Sequence, residues 1–230
     1  MRKYYEAYDD RYAQVHERNL QWSSDAPSAI VSRMLARCGI GRDDAILELG
    51  CGEGRDAMNL LSKGYSVTAT DISPEAIRFC RSRCPEFADS FQVLDCIGGK
   101  LDGKFDFIYA VALIHMLVED QDRAACYRFI RDHLKETGAG LVCTMGDGTV
   151  ERKSDISTAF DLQERTHSQS GVKMLLSATS CRMVNWDTFL REIRENGLTV
   201  AEYGLTEVPP DFPVMMYALV KKGINSLRIC

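Results

Sequence analysis

The chain has 230 residues, of which 45% are hydrophobic, and its formal net charge is −5. This length suffices for one α/β domain with a sizeable core, and the acidic balance argues against a general nucleic-acid-binding protein, which needs a basic face. The apolar runs are too short to span a membrane, and the first residues lack the apolar core of a signal peptide. We therefore expect a cytoplasmic protein with no nucleic-acid or membrane partner.

Nine cysteines are scattered along the chain without a C-x-x-C pair or zinc-finger spacing. They are Cys38, Cys51, Cys80, Cys84, Cys96, Cys126, Cys143, Cys181 and Cys230. An odd number at irregular spacing is typical of reduced, partly buried thiols in the cytoplasm. We expect no metal site.

The first 44 residues are rich in aromatic side chains and precede the regular pattern. Their amphipathic stretch at 27–37 predicts a helix. We predict that residues 1–44 form a helical lid over the site. A helix packed on the sheet edge and a surface for a partner are the alternatives.

From residue 45 onwards, strand-like and helix-like segments alternate, which predicts parallel strands joined by right-handed helical crossovers. The predicted strands are 45–49, 65–70, 91–94, 105–110 and 139–144. The predicted helices are 55–62, 74–83, with Ser73 as its cap and Pro74 at its first position, and 120–135, closed by Gly138.

The C-terminal part predicts a helix at 187–196 and a hairpin of strands 198–205 and 214–220. The complete pattern therefore predicts an α/β fold whose seven-stranded sheet is mostly parallel, with one antiparallel strand and helices on both faces. Residues 146–185 form an insertion after the fifth strand that is much longer than an ordinary connection, and we expect it to cover the ligand. We divide the single domain into 1–44, 45–145, 146–185 and 186–230.

The stretch from residue 46 to 56 reads I-L-E-L-G-C-G-E-G-R-D, in which an acid ends a strand and three glycines follow at alternate positions. A strand that breaks into a glycine turn before a helix lets the backbone approach a ligand closely. The run from Gly52 to Ala57 matches G-x-G-x-x-A, and Asp71 after the next strand could bind a ribose, so an NAD(P)-dependent oxidoreductase is one interpretation. Glu48 favours S-adenosylmethionine instead, because that ligand carries a sulfonium and an ammonium group.

At E-L-G-C-G-E-G the sequence resembles the class I S-adenosylmethionine-dependent methyltransferases, locally their tellurite-resistance and thiopurine branches. The resemblance extends to about residue 144 and implies a Rossmann-like fold, with S-adenosylhomocysteine as product. It implies that Asp71 accepts from the ribose hydroxyls, that Ile72 packs on the adenine and that Asp95 accepts from its amine. The full set of implied cofactor contacts is Glu48, Gly50, Cys51, Gly52, Gly54, Arg55, Asp71, Ile72, Asp95, Cys96, Ala110 and Val111. A non-catalytic module that binds S-adenosylmethionine stays open as an alternative.

The family's fourth motif is similar to residues 105–117, F-D-F-I-Y-A-V-A-L-I-H-M-L, where His115 is present and Met116 replaces a second histidine. His115 is the candidate catalytic base, or else a packing histidine that shapes the pocket. Within the family, amino-methylating enzymes of DNA adenine and of glutamine carry an Asn/Asp-Pro-Pro-aromatic run after the fourth strand, which this sequence lacks. An acidic hairpin typical of protein-arginine methyltransferases is not evident, and no Asp-Asn pair suggests the magnesium site of catechol-type enzymes. A small-molecule acceptor is the class that remains. Our candidate acceptor contacts are Tyr5, Tyr12, Trp22, Arg165, His167 and Arg182, and cations among them could bind an anionic acceptor or simply be solvated.

Overall fold

A computed structural model of the chain describes residues 2–167 and 169–223; Cys230, one of the nine predicted thiols, lies outside these ranges. Six α-helices occur in the described part: α1 Ala7–His16, α2 Ala29–Cys38, α3 Arg55–Ser62, α4 Pro74–Arg83, α5 Asp120–His133 and α6 Trp186–Glu195. Among the described residues, no helix is both long and apolar enough to cross a membrane.

Seven of the eleven described strands build the main sheet. They are β1 Ala45–Leu49, β2 Ser66–Asp71, β3 Phe91–Val93, β4 Phe105–Val111, β5 Leu134–Met145, β10 Leu198–Val208 and β11 Phe212–Lys222. Their order is β10-β11-β5-β4-β1-β2-β3. The five strands from β3 to β5 are parallel, and β11 runs antiparallel to both of its neighbours. This confirms the predicted seven-stranded, mostly parallel sheet.

Two apolar cores lie on opposite faces of this sheet because neighbouring side chains of a strand point to opposite sides. Ile46 and Phe107 contact the layer formed by α2, α3 and α4. Leu47 and Ile108 pack with α5 and α6 on the other face. The predicted helices on both faces are confirmed, and the sheet leaves the carboxyl ends of β1, β2 and β4 at a common edge.

The N-terminal segment and the insertion form one structure, which we call the cap: residues 2–28 and the described part of 146–185. The insertion holds two two-stranded sheets, built from β6 Arg152–Lys153, β7 Leu162–Thr166, β8 Lys173–Ser177 and β9 Arg182–Met183. Val15 of α1 packs on Met174 and Leu176 of β8. Helix α2, in contrast, packs on the main sheet, so the predicted N-terminal helix is part of the domain core.

The helix predicted at 120–135 was wrong at its C-terminal end. It ends at His133, and β5 starts at Leu134, which is fully buried and pairs with Phe105 across the sheet. Gly138 does not terminate the helix. A Cβ at this position would lie 2.9 Å from the carbonyl oxygen of Phe105, so the glycine permits close backbone approach at an irregular point of the β4–β5 pairing.

Candidate functional site

The glycine turn after β1 adopts a backbone that only glycine takes readily. Gly50, Gly52 and Gly54 have φ values of 72°, 52° and 82°, in the left-handed region where a Cβ is disfavoured. A Cβ on Gly52 would lie 2.7 Å from the hydroxyl oxygen of Tyr12. The backbone N–H groups of Gly50 and Cys51 both donate to the Thr70 carbonyl, which fixes the turn against the end of β2.

Asp71 connects the end of β2 to this turn. Its two carboxylate oxygens accept from the N–H groups of Gly52 at 2.8 Å and Ser73 at 2.9 Å. Burial raises the pKa of Asp71, while the two N–H donors oppose that shift by stabilising the charged form. The side chain therefore has a structural role in the turn besides its place in the cavity wall.

A first cavity lies beside Asp71 and is partly open to solvent. Ile72, Asp95 and Cys96 line it, so the side chains expected around adenine and ribose do lie together. Asp95 accepts a hydrogen bond from Lys3 at 2.9 Å and one from the N–H of Ile97. The cap thus contacts the group expected to bind adenine.

A second, larger cavity continues from the first, since Tyr8, Tyr12, Gly50 and Met116 line both. Its sheet-side wall includes Glu48, which is 4% exposed and accepts from the Tyr109 hydroxyl at 2.9 Å. Burial, and then the nearby charge of Asp56, raise the pKa of Glu48 well above its ordinary value. A cation bound here would relieve both effects.

His115 lies in the wall of the second cavity, where β4 leads into a short 3-10 helix at Ile114–Met116. It is 3% exposed. Burial, and then the charge of Arg123, lower the pKa of His115 to about 4. The N–H of Met145 donates to its Nδ1 at 3.4 Å, so the proton of the neutral ring is on Nε2. His115 is thus arranged to donate a hydrogen bond and is a weak base.

Two buried acids, Glu53 in the glycine turn and Asp56 in the first turn of α3, hold the cap in place, and sequence reasoning missed both roles. Glu53 accepts from the N–H groups of Trp22 and Ser23, each at 2.7 Å, from the Ser23 hydroxyl, and is hydrogen-bonded to His16. Asp56 accepts from the N–H and hydroxyl of Ser28. Glu53 belongs to the motif that identified the turn, but its partners are some 30 positions away and leave no local signal.

The predicted cofactor contacts mostly line the two cavities. Cys51, Gly52, Arg55 and Val111 line the second. Gly54 and Ala110 line neither. At Gly54 an added Cβ would instead meet Met58 and Cys80, so the glycine serves packing of α3. The individual roles stay predictions.

The candidate acceptor contacts divide in two groups. Tyr5 and Tyr12 line the first cavity, and Tyr12, Trp22 and Arg165 line the second. His167 and Arg182 line neither. His167 is hydrogen-bonded to Ser170 and the Gln21 carbonyl and so connects two parts of the cap. Arg182 donates to the Val118 carbonyl and Asp120 and so attaches the cap to the start of α5.

Comparison with protein families gives one match that covers the glycine turn. A family model described as "Methyltransferase domain" matches residues 46–138. The magnesium-protoporphyrin O-methyltransferase of Rhodobacter capsulatus is 31% identical over 108 residues, which are 45% of this chain and 46% of that protein. An O-antigen chain terminator bifunctional methyltransferase/kinase of Escherichia coli is 32% identical over 85 residues, 34% of this chain and 12% of its own. The aligned parts are thus less than half of either relative.

Solved structures resemble nearly the whole chain. An S-adenosylmethionine-dependent methyltransferase from Clostridium acetobutylicum superposes with a TM-score of 0.65 and 15% identity, over 96% of this chain and 99% of its own. A second solved structure is the Burkholderia thailandensis 1,6-didemethyltoxoflavin-N1-methyltransferase with bound 1,6-didemethyltoxoflavin and S-adenosylhomocysteine. It superposes with a TM-score of 0.69 and 16% identity, over 96% of this chain and 89% of its own. At such identities the likeness is one of fold, and it extends through the cap.

Proposed function

We propose that the chain is a class I S-adenosylmethionine-dependent methyltransferase that transfers a methyl group to a small-molecule acceptor held beneath the cap. The methyltransferase-domain match at residues 46–138 and the fold shared with such enzymes support this proposal. One observation carries the proposal. The cavity beside the strand-end acids continues, at Gly50, into the larger cavity that the cap covers. A donor in the first cavity and an acceptor in the second would therefore meet at this point beneath the cap.

The residues of the first cavity suit S-adenosylmethionine in their chemistry. Asp71 and Asp95 offer carboxylate oxygens to ribose hydroxyls and to an amine, and Ile72 offers an apolar surface for a base. Glu48, at the neighbouring wall, offers negative charge to the cationic end of the ligand. The close approach of Tyr12 to Gly52 leaves no room for a side chain in the turn, and we propose that this bare backbone faces the ligand.

S-adenosylmethionine supplies an electrophilic methyl group when bound. The chain then has to align the acceptor and shield it from water, which accounts for much of the acceleration in such reactions. A base is needed only if the acceptor loses a proton. We propose that His115 acts as a hydrogen-bond donor that positions the acceptor, because its low pKa and its Nδ1 contact with Met145 disfavour proton removal.

The small-molecule acceptor is supported by the enclosure and by relatives. The N-terminal segment and the insertion both line the second cavity and contact each other there, as in the hydrogen bond that the Tyr8 hydroxyl donates to the Ser180 carbonyl at 2.8 Å. Fold relatives include an enzyme solved with 1,6-didemethyltoxoflavin. We retain the cofactor half at 45–145, the substrate cap at 146–185 and the C-terminal part at 186–230 as a proposal. Of the lid predicted at 1–44 we retain residues 2–28, because α2 packs on the main sheet. The local similarity to the tellurite-resistance and thiopurine branches also stays a prediction.

Calorimetric titration with S-adenosylmethionine and, separately, with NAD tests the cofactor. We expect binding of S-adenosylmethionine and S-adenosylhomocysteine and none of NAD. Binding of NAD alone would instead support the oxidoreductase interpretation. Turnover is tested by following labelled methyl transfer into a small-molecule extract, where cofactor binding without any labelled product would indicate a non-catalytic module.

A further inference from the structure

The cap side of the second cavity is basic, in contrast with the acidic sheet side. Arg11 of α1, Arg152 and Lys153 of β6 and Arg165 of β7 all line this cavity. They come from three separate elements of the cap. The chain as a whole carries more acidic than basic residues, so a wall of four cations is a local concentration of charge.

These four cations form no ion pair with a carboxylate among the described residues. Arg11 donates to the carbonyls of Ser177 and Ala178, and Arg165 donates to the Gln163 side chain. Asp120 is hydrogen-bonded to Arg182, which is the main cause of its lowered pKa. Lys153 also lowers the pKa of Asp120, but it forms no ion pair with this carboxylate. The cap therefore contributes positive charge to the cavity that its own acids do not neutralise.

The sheet-side arginine of the same cavity behaves differently. Arg55 pairs with Asp211 at 3.0 Å, so its charge has a partner within the chain. Arg11, by contrast, is 8% exposed and has no acid partner within the described chain. Burial lowers the pKa of Arg11; Tyr8 opposes this shift, and the like charge of Arg165 adds a smaller lowering effect. Two neighbouring cations without a counter-charge would be stabilised by a bound anion.

We propose that the methyl acceptor carries an anionic group, a carboxylate or a phosphate, that binds to Arg165 and its cationic neighbours on the cap. This inference rests on the proposed methyl transfer. The acceptor would then be oriented by charge, with its anionic end towards the cap and its reacting atom towards Gly50 and His115. The same arrangement keeps the acceptor's negative charge away from Glu48 on the opposite wall.

The test uses the full chain saturated with S-adenosylhomocysteine and three matched probes: 4-hydroxybenzoate, phenyl phosphate and the neutral 4-hydroxybenzamide. Calorimetry measures the affinity of each probe for the parent protein, Arg165→Gln and Lys173→Gln. Lys173 is the matched control, because it lies on the same hairpin, pairs with Glu164 at 3.0 Å and does not line the cavity. Arg11 is left intact, since it holds β8 to α1.

We expect at least one acid to bind about tenfold more tightly than the amide, as for hydrogen bonds to a charged group. Arg165→Gln should remove most of that preference, and Lys173→Gln should retain it, with unchanged affinity for S-adenosylhomocysteine in both variants. The ratio of the affinities for 4-hydroxybenzoate and phenyl phosphate shows which anion is preferred.

Equal binding of acids and amide, or equal losses in the two variants, would overturn the inference while leaving the proposed function intact. Failure of the parent protein to bind S-adenosylhomocysteine would overturn the proposed function and this inference with it.

Discussion

The sheet edge and the cap face each other across the same cavities but are built in different ways. The sheet edge consists of a local motif, in which Glu48 and Asp71 lie at the ends of two adjacent strands and the glycine turn follows the first of them. The cap joins segments that lie more than 160 residues apart, as in the hydrogen bonds from Arg11 to Ser177. The acids of the edge suit a cationic cofactor, whereas the cap has unpaired cations. The proposed cofactor site is therefore encoded locally, whereas the proposed acceptor site is not.

The largest effect is expected at Glu53, where the two regions are joined. Glu53→Ala removes the acceptor for two N–H groups and one hydroxyl of the cap and separates His16 from a buried carboxylate. Breaking one partner of such a buried network should lower the free energy of unfolding by about 3–5 kcal/mol. Urea unfolding measures this change in the free energy of unfolding.

Glu86→Ala is the control for Glu53, because Glu86 is exposed on the same domain, and it should change stability by less than about 0.5 kcal/mol. Glu53→Gln, which keeps one acceptor oxygen, should fall between the two. Equal stability of Glu53→Ala and Glu86→Ala would show that the cap is not held through this carboxylate.

The second effect concerns the sheet edge alone. Asp71→Ala should weaken S-adenosylmethionine binding by about 1.5–3 kcal/mol, the value of a hydrogen bond to a charged group. Because Asp71 also accepts from Gly52 and Ser73, we expect some loss of folding stability as well. Calorimetry gives the affinity, and Asp43→Ala, an exposed carboxylate, is the matched control. Unchanged affinity in Asp71→Ala would refute a ribose contact.

Sequence reasoning succeeded where contacts are short-range. The strand bounds at Ala45–Leu49 and the helix Arg55–Ser62 were predicted correctly, and Ser73 caps α4 by accepting from the Ala76 N–H. Apolar runs, a glycine turn and a capping serine act within a few residues, so each leaves a pattern that can be read from sequence.

The failures of sequence reasoning share a physical cause. Glu53 and Asp56 gain their roles from partners in the cap, and Gly138 is required by the carbonyl of Phe105 on another strand. His167 and Arg182 were candidate acceptor contacts, but tertiary hydrogen bonds occupy both side chains and neither lines a cavity. Residues whose partners are distant in sequence leave no local pattern, and the cap consists largely of such residues.

His115 tests whether the sheet edge supplies a base. Since burial and Arg123 lower its pKa to about 4, the ring stays neutral at pH 6–8, where a base of ordinary pKa would titrate. His115→Asn should lower the turnover number about tenfold through a lost hydrogen bond, with cofactor affinity changed less than twofold. The pH profile of the parent enzyme should show no ionisation of His115 in this range.

An ionisation near pH 6.5 in the parent profile that disappears in His115→Asn would identify His115 as a base. Stability offers a separate check. A histidine whose folded-state pKa lies below its unfolded value of about 6.5 stabilises the fold above that pH and loses the contribution as the pH falls towards 4. The stability of the parent relative to His115→Asn should therefore decrease between pH 7 and pH 5.

His16, in the cap, should show the opposite pH dependence, because two carboxylates stabilise its charged form. Burial opposes its charged form, but hydrogen bonds to Glu53 at 2.8 Å and Glu75 at 2.7 Å raise the pKa of His16 above its ordinary value. Its contribution is then fully present below the unfolded pKa near 6.5 and is lost as the pH rises through the folded pKa.

We expect His16→Gln to destabilise the chain more at pH 6 than at pH 9. The loss should be smaller than in Glu53→Ala, since Trp22 and Ser23 keep their acceptor. Urea unfolding at both pH values measures this difference, and an equal loss at pH 6 and pH 9 would mean that the ring is neutral between the two acids. Opposite slopes in the His16 and His115 variants would show that alkaline pH loosens the cap while acid pH destabilises the sheet edge.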